Sequence, residues 1–372
     1  MIAEAWTIDS LREGSNWLAH PARVMTICAI GLVAGLWWYR VWTRPRWAAL
    51  LLGGLLAVVT LAGLDPVLRD KVCRPDNLAI LLLVLLLCFF VWRGLRQAAV
   101  NDDRAERGEP PFEAGADDKV LTWPHLVFLE LVALVACSAF LVIWSLLVRA
   151  PLEPPADLET VLNPAKAPWY FVGLQELLVY FDPWLAGVVL PVVMVVGLSA
   201  LPYLDRNPRG SGYYTLRERP LAVSVFLAAF ILLWMLPILV GTFLRGPNWT
   251  LYGPFEPWDP HTESPAELVN LSAMVWGERS EMEAGFGAEA ALWRPVVREL
   301  PGIVLLGFYF LVMPWVLSRT AWRGLRERMG SVRYLVFSVL LMGMGLVPAK
   351  MLLRWLLDVR YIVALTEWSL NI

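Results

Sequence analysis

Long apolar runs set the limits on what this 372-residue chain can fold into. They lie near Val24 to Trp42, Trp47 to Leu64, Leu78 to Trp92, Leu126 to Val148, Trp184 to Leu204, Ala222 to Leu244, Ile303 to Leu317 and Tyr334 to Leu357. Crossing ~30 Å of hydrocarbon takes about 20 helical residues, and with no water present every backbone N–H and C=O must be satisfied inside the segment. Runs this long and this poor in charge therefore form membrane helices. The shortest, Leu78 to Trp92, can continue helically through Arg93 to Val100. The expected fold is all-α: a polytopic transmembrane bundle of about 8 helices, with a surface helix besides. Composition points the same way, with 58% hydrophobic residues, only 17% charged and 20 Trp.

Charge then orients the bundle. Lys and Arg outnumber Asp and Glu in alternate connections, namely Arg40 to Arg46, Arg93 to Lys119, Asp205 to Arg219 and Arg319 to Arg333, and the balance reverses on the other side. By the positive-inside rule the first set is cytoplasmic and both termini face out. The segment Ile2 to Asn16 mixes Trp6, Leu11, acids and Arg12, which suits a short external helix and not a removable signal peptide.

The chemistry concentrates between Asn163 and Pro220. Phe171 to Phe181 is apolar except for Gln175 and Glu176, and Tyr170, Leu174, Leu177, Leu178 and Phe181 recur at the spacing of one helix face. Too short to span a bilayer, this stretch reads as a helix at the membrane surface, buried beneath neighbouring protein. It opens with Ala167-Pro168-Trp169-Tyr170, and beyond the next apolar run come Pro202-Tyr203-Leu204-Asp205-Arg206-Asn207 and then Arg219-Pro220. This ordered set resembles the C-terminal half of cytochrome b, the piece that photosynthetic complexes carry as a separate subunit IV of a bc-type quinol-oxidising complex. In that family Pro-Glu-Trp-Tyr opens a surface helix lining the quinol-oxidising pocket, the next membrane helix ends in Pro-Phe-x-Glu/Asp-x-Asn, and Arg-Arg-Pro follows. The resemblance runs from Trp123 to roughly Leu244.

That resemblance implies a membrane quinol oxidised near the outer face, one electron passing to an iron-sulfur or comparable acceptor and one to haem b, with two protons leaving outward. It assigns Pro168, Trp169 and Tyr170 to the wall of the quinol pocket and Gln175 to a polar contact. Pro168 stands where the family has its glutamate, so the proton acceptor is expected to be Glu176, the nearest carboxylate on the same helix and seven residues after Trp169. The family's haem b groups sit between two pairs of histidines on facing helices. This chain has 3 His, at 20, 125 and 261, with the first and last outside and His125 at the cytoplasmic mouth of a span. No Cys-x-x-Cys-His is present. The resemblance therefore implies a chain that binds no haem and no metal of its own, shares quinol with a cytochrome b-like haem-binding subunit, and works with a Rieske iron-sulfur protein or equivalent and a c-type cytochrome. It has membrane lipid for surroundings and no nucleic acid, and the expected location is a bacterial inner, energy-transducing membrane. No complete active site is expected on this chain alone.

By these readings residues 1–93 form an N-terminal extension with three membrane helices and 94–125 a cytoplasmic connection. Residues 126–246 form the core with three helices, 247–301 an acidic outer segment with a helix-like run from Pro265 to about Glu289, and 302–372 two C-terminal helices. Outside the core the residues read blandly. Cys28, Cys88 and Cys137 are small apolar residues in spans, and Cys73 is an external thiol. Lys166 and Asp182 bracket the surface helix as anchors or partner contacts, and Lys350 and Arg354 at the outer end of the last span snorkel to the headgroups or meet an acidic partner. Pro191, Pro237, Pro314 and Pro348 bend their helices. Glu130, a turn inside its span, reaches the interface or pairs with a neighbour. A cofactor-free scaffold fits the composition equally and leaves only the ordered motifs unexplained. A transporter fits less well, since no span carries a charge near its centre and no repeat is visible.

Overall fold

A computed structural model describes residues 2–115, 120–148, 163–205, 212–259, 261, 268–277, 293–368 and 370–372. Helix α1 (Ile2–Leu18) meets α2 (Pro21–Trp37) at a sharp corner, the parts Arg12–Leu18 and Pro21–Trp37 being inclined by 76°. A single turn, α3 (Tyr39–Trp42), leads to α4 (Pro45–Ala62), then the short α5 (Pro66–Val72) and the long α6 (Pro75–Glu106). Proline opens four of these six helices, where its missing N–H is one that no helical carbonyl would have met. Asp65 caps α5 by accepting from the backbone N–H groups of Val67 and Leu68.

The remaining long helices are α7 (Thr122–Leu147), α9 (Leu185–Leu204), α10 (Pro220–Leu244), α11 (Leu300–Arg319) and α12 (Ser331–Leu357), with the surface helix α8 (Trp169–Leu177) between α7 and α9. Wide π-type turns at Leu185–Val189, Ala229–Met235 and Phe308–Val312 stand just before Pro191, Pro237 and Pro314. The ladder widens where a proline cannot donate, so these bends have a local cause. Of the expected outer-segment helix, Leu271–Trp276 is helical and 278–292 lie outside the described residues.

The polytopic helical bundle is as expected, and the count differs. Six helices among the described residues are long and apolar enough to cross a membrane, or seven if the bent pair at the N-terminus counts as one. The difference lies in the first two runs. α2 stops at Trp38, and its 17 residues rise only ~25 Å. The described apolar part of α4, Pro45–Thr60, is shorter still.

The core lies at one end of the bundle, beneath α8. Met25 of α2, Leu177, Tyr180 and Phe181 of the surface segment, Ala186, Leu236 and Val240 of α9 and α10, and Val347 and Met351 of α12 form one buried cluster. The first and last of these long helices therefore pack on the helices between them. At this end Lys71 is buried and donates to the carbonyls of Gly253, Pro254 and Glu256 at 2.9, 3.2 and 2.6 Å. At the opposite end Asp102, 1% exposed, accepts from Tyr39 Oη, Thr215 Oγ1 and the backbone N–H groups of Leu216 and Arg217. Glu106 beside it binds both Arg40 and Arg217. The N-terminal extension is thus tied at one end to the outer segment through Lys71 and at the other, through Asp102, to the chain before α10.

Candidate functional site

Helix α8 lies close against α10 because both helices lack side chains where they meet. A Cβ on Gly173 would stand 3.0 Å from Ile238, and one on Gly241 would stand 2.6 Å from Val172. Small residues let helix backbones approach in this way within membrane proteins. The contact divides α8 into two faces. Val172, Gly173, Glu176 and Leu177 are buried, while Trp169, Tyr170 and Phe171 are exposed and pack ring against ring, with centroids 5.6 and 4.9 Å apart.

On the buried face sits an ion pair that the sequence reading missed. Glu176 is 0% exposed, and both its oxygens are taken. Arg245 donates from Nη2 to Oε1 at 2.8 Å and from Nε to Oε2 at 2.9 Å, and Tyr180 Oη donates to Oε1 at 2.8 Å. The third arm of the guanidinium, Nη1, donates to the carbonyl of Trp249 at 2.8 Å. Burial works against the Arg245 charge, and the Glu176 carboxylate outweighs it, so the guanidinium holds its proton even more firmly than usual. Burial and the same carboxylate push the Tyr180 phenol far above its ordinary value.

The turn that brings Trp249 to Arg245 is strained. Asn248 and Trp249 have φ of 56° and 57°, the left-handed region that side chains avoid. Asn163 holds the turn, accepting from Asn248 N at 2.6 Å and donating to its side-chain oxygen at 2.8 Å. The chain entering α8 is thereby tied to the chain leaving α10.

Gln175 turns back instead of outward. It accepts from Ala167 N at 2.7 Å and donates to the Ala165 carbonyl at 2.8 Å, bracing the segment that carries Pro168. Lys166 donates to the Thr242 carbonyl at 2.6 Å and lies 4.9 Å from the Trp258 ring. Burial first, then the neighbouring Arg74 and Lys71 cations, lower its ammonium to about 8. The expected site residues therefore separate into an open aromatic group, Pro168, Trp169 and Tyr170, and a closed polar one, Glu176 with Tyr180 and Arg245; Gln175 belongs to the bracing between them. The sequence signal for Arg245 was slight: a single arginine at the boundary of an apolar run, ahead of Gly-Pro-Asn-Trp.

The C-terminal span also reaches this group. Trp355 meets Tyr180 edge-on at 5.6 Å, and Asn371 donates to Asp182 at 3.0 Å. At the far end of α9, Arg219 donates to Asp205, closing the two later motif pieces on each other, while 206–211 lie outside the described residues. Among the described residues no three His, Cys, Asp or Glu side chains gather as a metal site. His20 is the N-cap of α2, and His125 lies in the opening turn of α7.

Residues 155–251 match the family described as Cytochrome b(C-terminal)/b6/petD. The match covers α8, α9, α10 and the strained turn through Leu251, and it leaves out α7 and the extensions on either side. No curated protein and no solved structure matches the chain.

Proposed function

We propose, from the cytochrome b C-terminal character of residues 155–251, that this chain is a membrane subunit of a quinol-oxidising bc-type complex and forms part of the quinol pocket at the outer membrane face. The observation that carries the reading is the exposed aromatic triplet Trp169, Tyr170 and Phe171, set at the motif position on a helix whose other face is locked to α10. An apolar quinol ring needs a rigid wall of this kind, and rings on a braced helix supply it with little entropy to lose on binding. In this reading a separate cytochrome b-like subunit brings the haem b and covers the open face. A Rieske iron-sulfur protein or equivalent takes the first electron, and a c-type cytochrome follows. With only three histidines on this chain, two bis-histidine haem sites would go unmet, which supports placing the haems on the neighbour.

Pro168, Trp169 and Tyr170 form the wall, and Gln175 keeps the wall segment in place. Glu176 takes the quinol proton as Arg245 swings away: three donors leave one of the carboxylate's about four acceptor sites open, and a proton there discharges the group that holds the guanidinium. The full burial of Glu176 and its two-pronged tie to Arg245 favour a second reading, in which Glu176 only clamps α8 to α10. Glu176→Gln separates them. Loss of quinol oxidation together with an altered pH profile, in a complex that still assembles, fits the acceptor. Normal turnover at every pH leaves only the clamp. Trp169→Ala tests the pocket itself: quinol oxidation should fall by an order of magnitude or more, and unchanged turnover in an assembled complex would overturn the reading.

A further inference from the structure

The last two spans end against a basic cavity lined wholly by residues outside 155–251. Its volume is about 560 Å³, and Ser318, Arg319, Arg323, Arg326, Glu327, Gly330 and Ser331 line it. Three guanidinium groups face one carboxylate, and Glu327 is already engaged by Arg323 Nε at 3.0 Å. Among the described residues no carboxylate lies within ion-pair distance of Arg319 or Arg326. The cavity therefore keeps a net positive charge. Arginine stays protonated at any physiological pH and presents paired donors that match phosphate oxygens.

A second element points into the same space. Gly330 and Ser331 form the start of α12, a helix of 27 residues, and its N-cap position has no side-chain cap. The first free N–H groups and the positive end of the helix dipole favour an anion at this place.

We propose that this cavity holds the phosphate group of an anionic phospholipid. The surroundings favour a lipid over free phosphate. The cavity opens between the ends of two apolar helices, with Trp315 exposed beneath Arg319, whose guanidinium stacks on the ring at 5.3 Å. Tryptophan at such a level marks the headgroup zone. From there the exposed Val332, Leu335 and Val339 descend along α12 as an apolar track for an acyl chain. The volume is many times the ~30 Å³ share of one water, enough for a headgroup. Basic pockets between membrane helices take anionic headgroups by this combination of charge and apolar walls.

The test uses the full chain in its native assembly, purified in mild detergent and depleted of lipid. Phosphatidylglycerol, phosphatidylcholine or inorganic phosphate is then added, and binding is read as lipid adducts in native mass spectrometry and as thermal stabilisation. Phosphatidylglycerol should bind in preference to phosphatidylcholine. Arg319→Gln and Arg326→Gln should each weaken it about fivefold. Arg44→Gln, a cation at the same end of the bundle outside the cavity, should leave it unchanged. Equal retention of the two lipids, or equal loss in Arg44→Gln, would overturn the proposal. So would saturation by millimolar inorganic phosphate with no further effect of lipid. Should the glutamine variants fail to assemble, Arg319→Lys keeps the charge and loses only the paired donors, and an unchanged preference there would also count against the site.

Discussion

Helices α7 and α10 are almost equally apolar, with mean hydropathy of 2.8 and 2.7 over their best windows, yet they live in different surroundings. No residue of α7 is buried, Glu130 included, whereas a third of the α10 window is packed inside the protein. Apolarity tells a helix to leave water and says nothing about what it meets instead. α10 meets α8 through Gly241 and Gly173 and carries at its end the arginine that neutralises Glu176. α7 offers an apolar surface interrupted by Glu130 that none of the described residues buries, and in the proposed complex the haem-bearing subunit covers it.

The largest test of this contrast is to strip the buried pair. Glu176→Ala leaves Arg245 charged and unpartnered in the packed region, a change of about 3 to 5 kcal/mol. It should appear as a large drop in the thermal midpoint in detergent; a small drop would mean that water reaches the guanidinium. Next, Gly241→Ala places a methyl group 2.6 Å from Val172 Cγ1 and should destabilise by roughly 1 to 3 kcal/mol through overpacking. The same readout serves, and an unchanged midpoint would show that α8 is free to lift. Leu134→Ala on α7, at a side chain 64% exposed, should change the isolated chain by less than about 0.5 kcal/mol. A larger loss on making the same change in the assembled complex would place the neighbour on that surface.

The smallest effect concerns pH. Lys166 and Lys71 hold their protons to about 8 when folded and to 10.5 when unfolded. Between those values the unfolded chain binds more protons, so stability rises with pH across the window and is level below it. Lys166→Met should remove about half of that slope in melts recorded from pH 7 to 11. An unchanged slope would assign the whole effect to Lys71.

Much of this was legible in the sequence because it is local. Apolar runs announce helices, the run from Tyr170 to Phe181 announced a surface helix, and prolines announced where ladders would widen. The count of spans differed because run length does not reveal where a helix stops: Trp38 ends α2 while apolar residues continue past it. The polar ties were hidden because their partners are remote: Arg245 stands 69 residues from Glu176. No periodicity links residues so far apart. Gln175 illustrates the same limit, since its amide looked free for a ligand and is instead used by the chain's own backbone.

The carboxylate of Asp102 bears on how such a chain is made. Thr215, one of its partners, follows it by 113 residues, so at roughly 5 to 20 residues per second a ribosome needs several seconds to deliver what satisfies it. During that interval the acid waits at the aqueous margin of the membrane, where solvation makes waiting cheap, and the early helices remain free to shift. Biogenesis thus leaves the amino-terminal helices tied to one another through Tyr39 but not to the later ones, and that second tie closes as α10 enters.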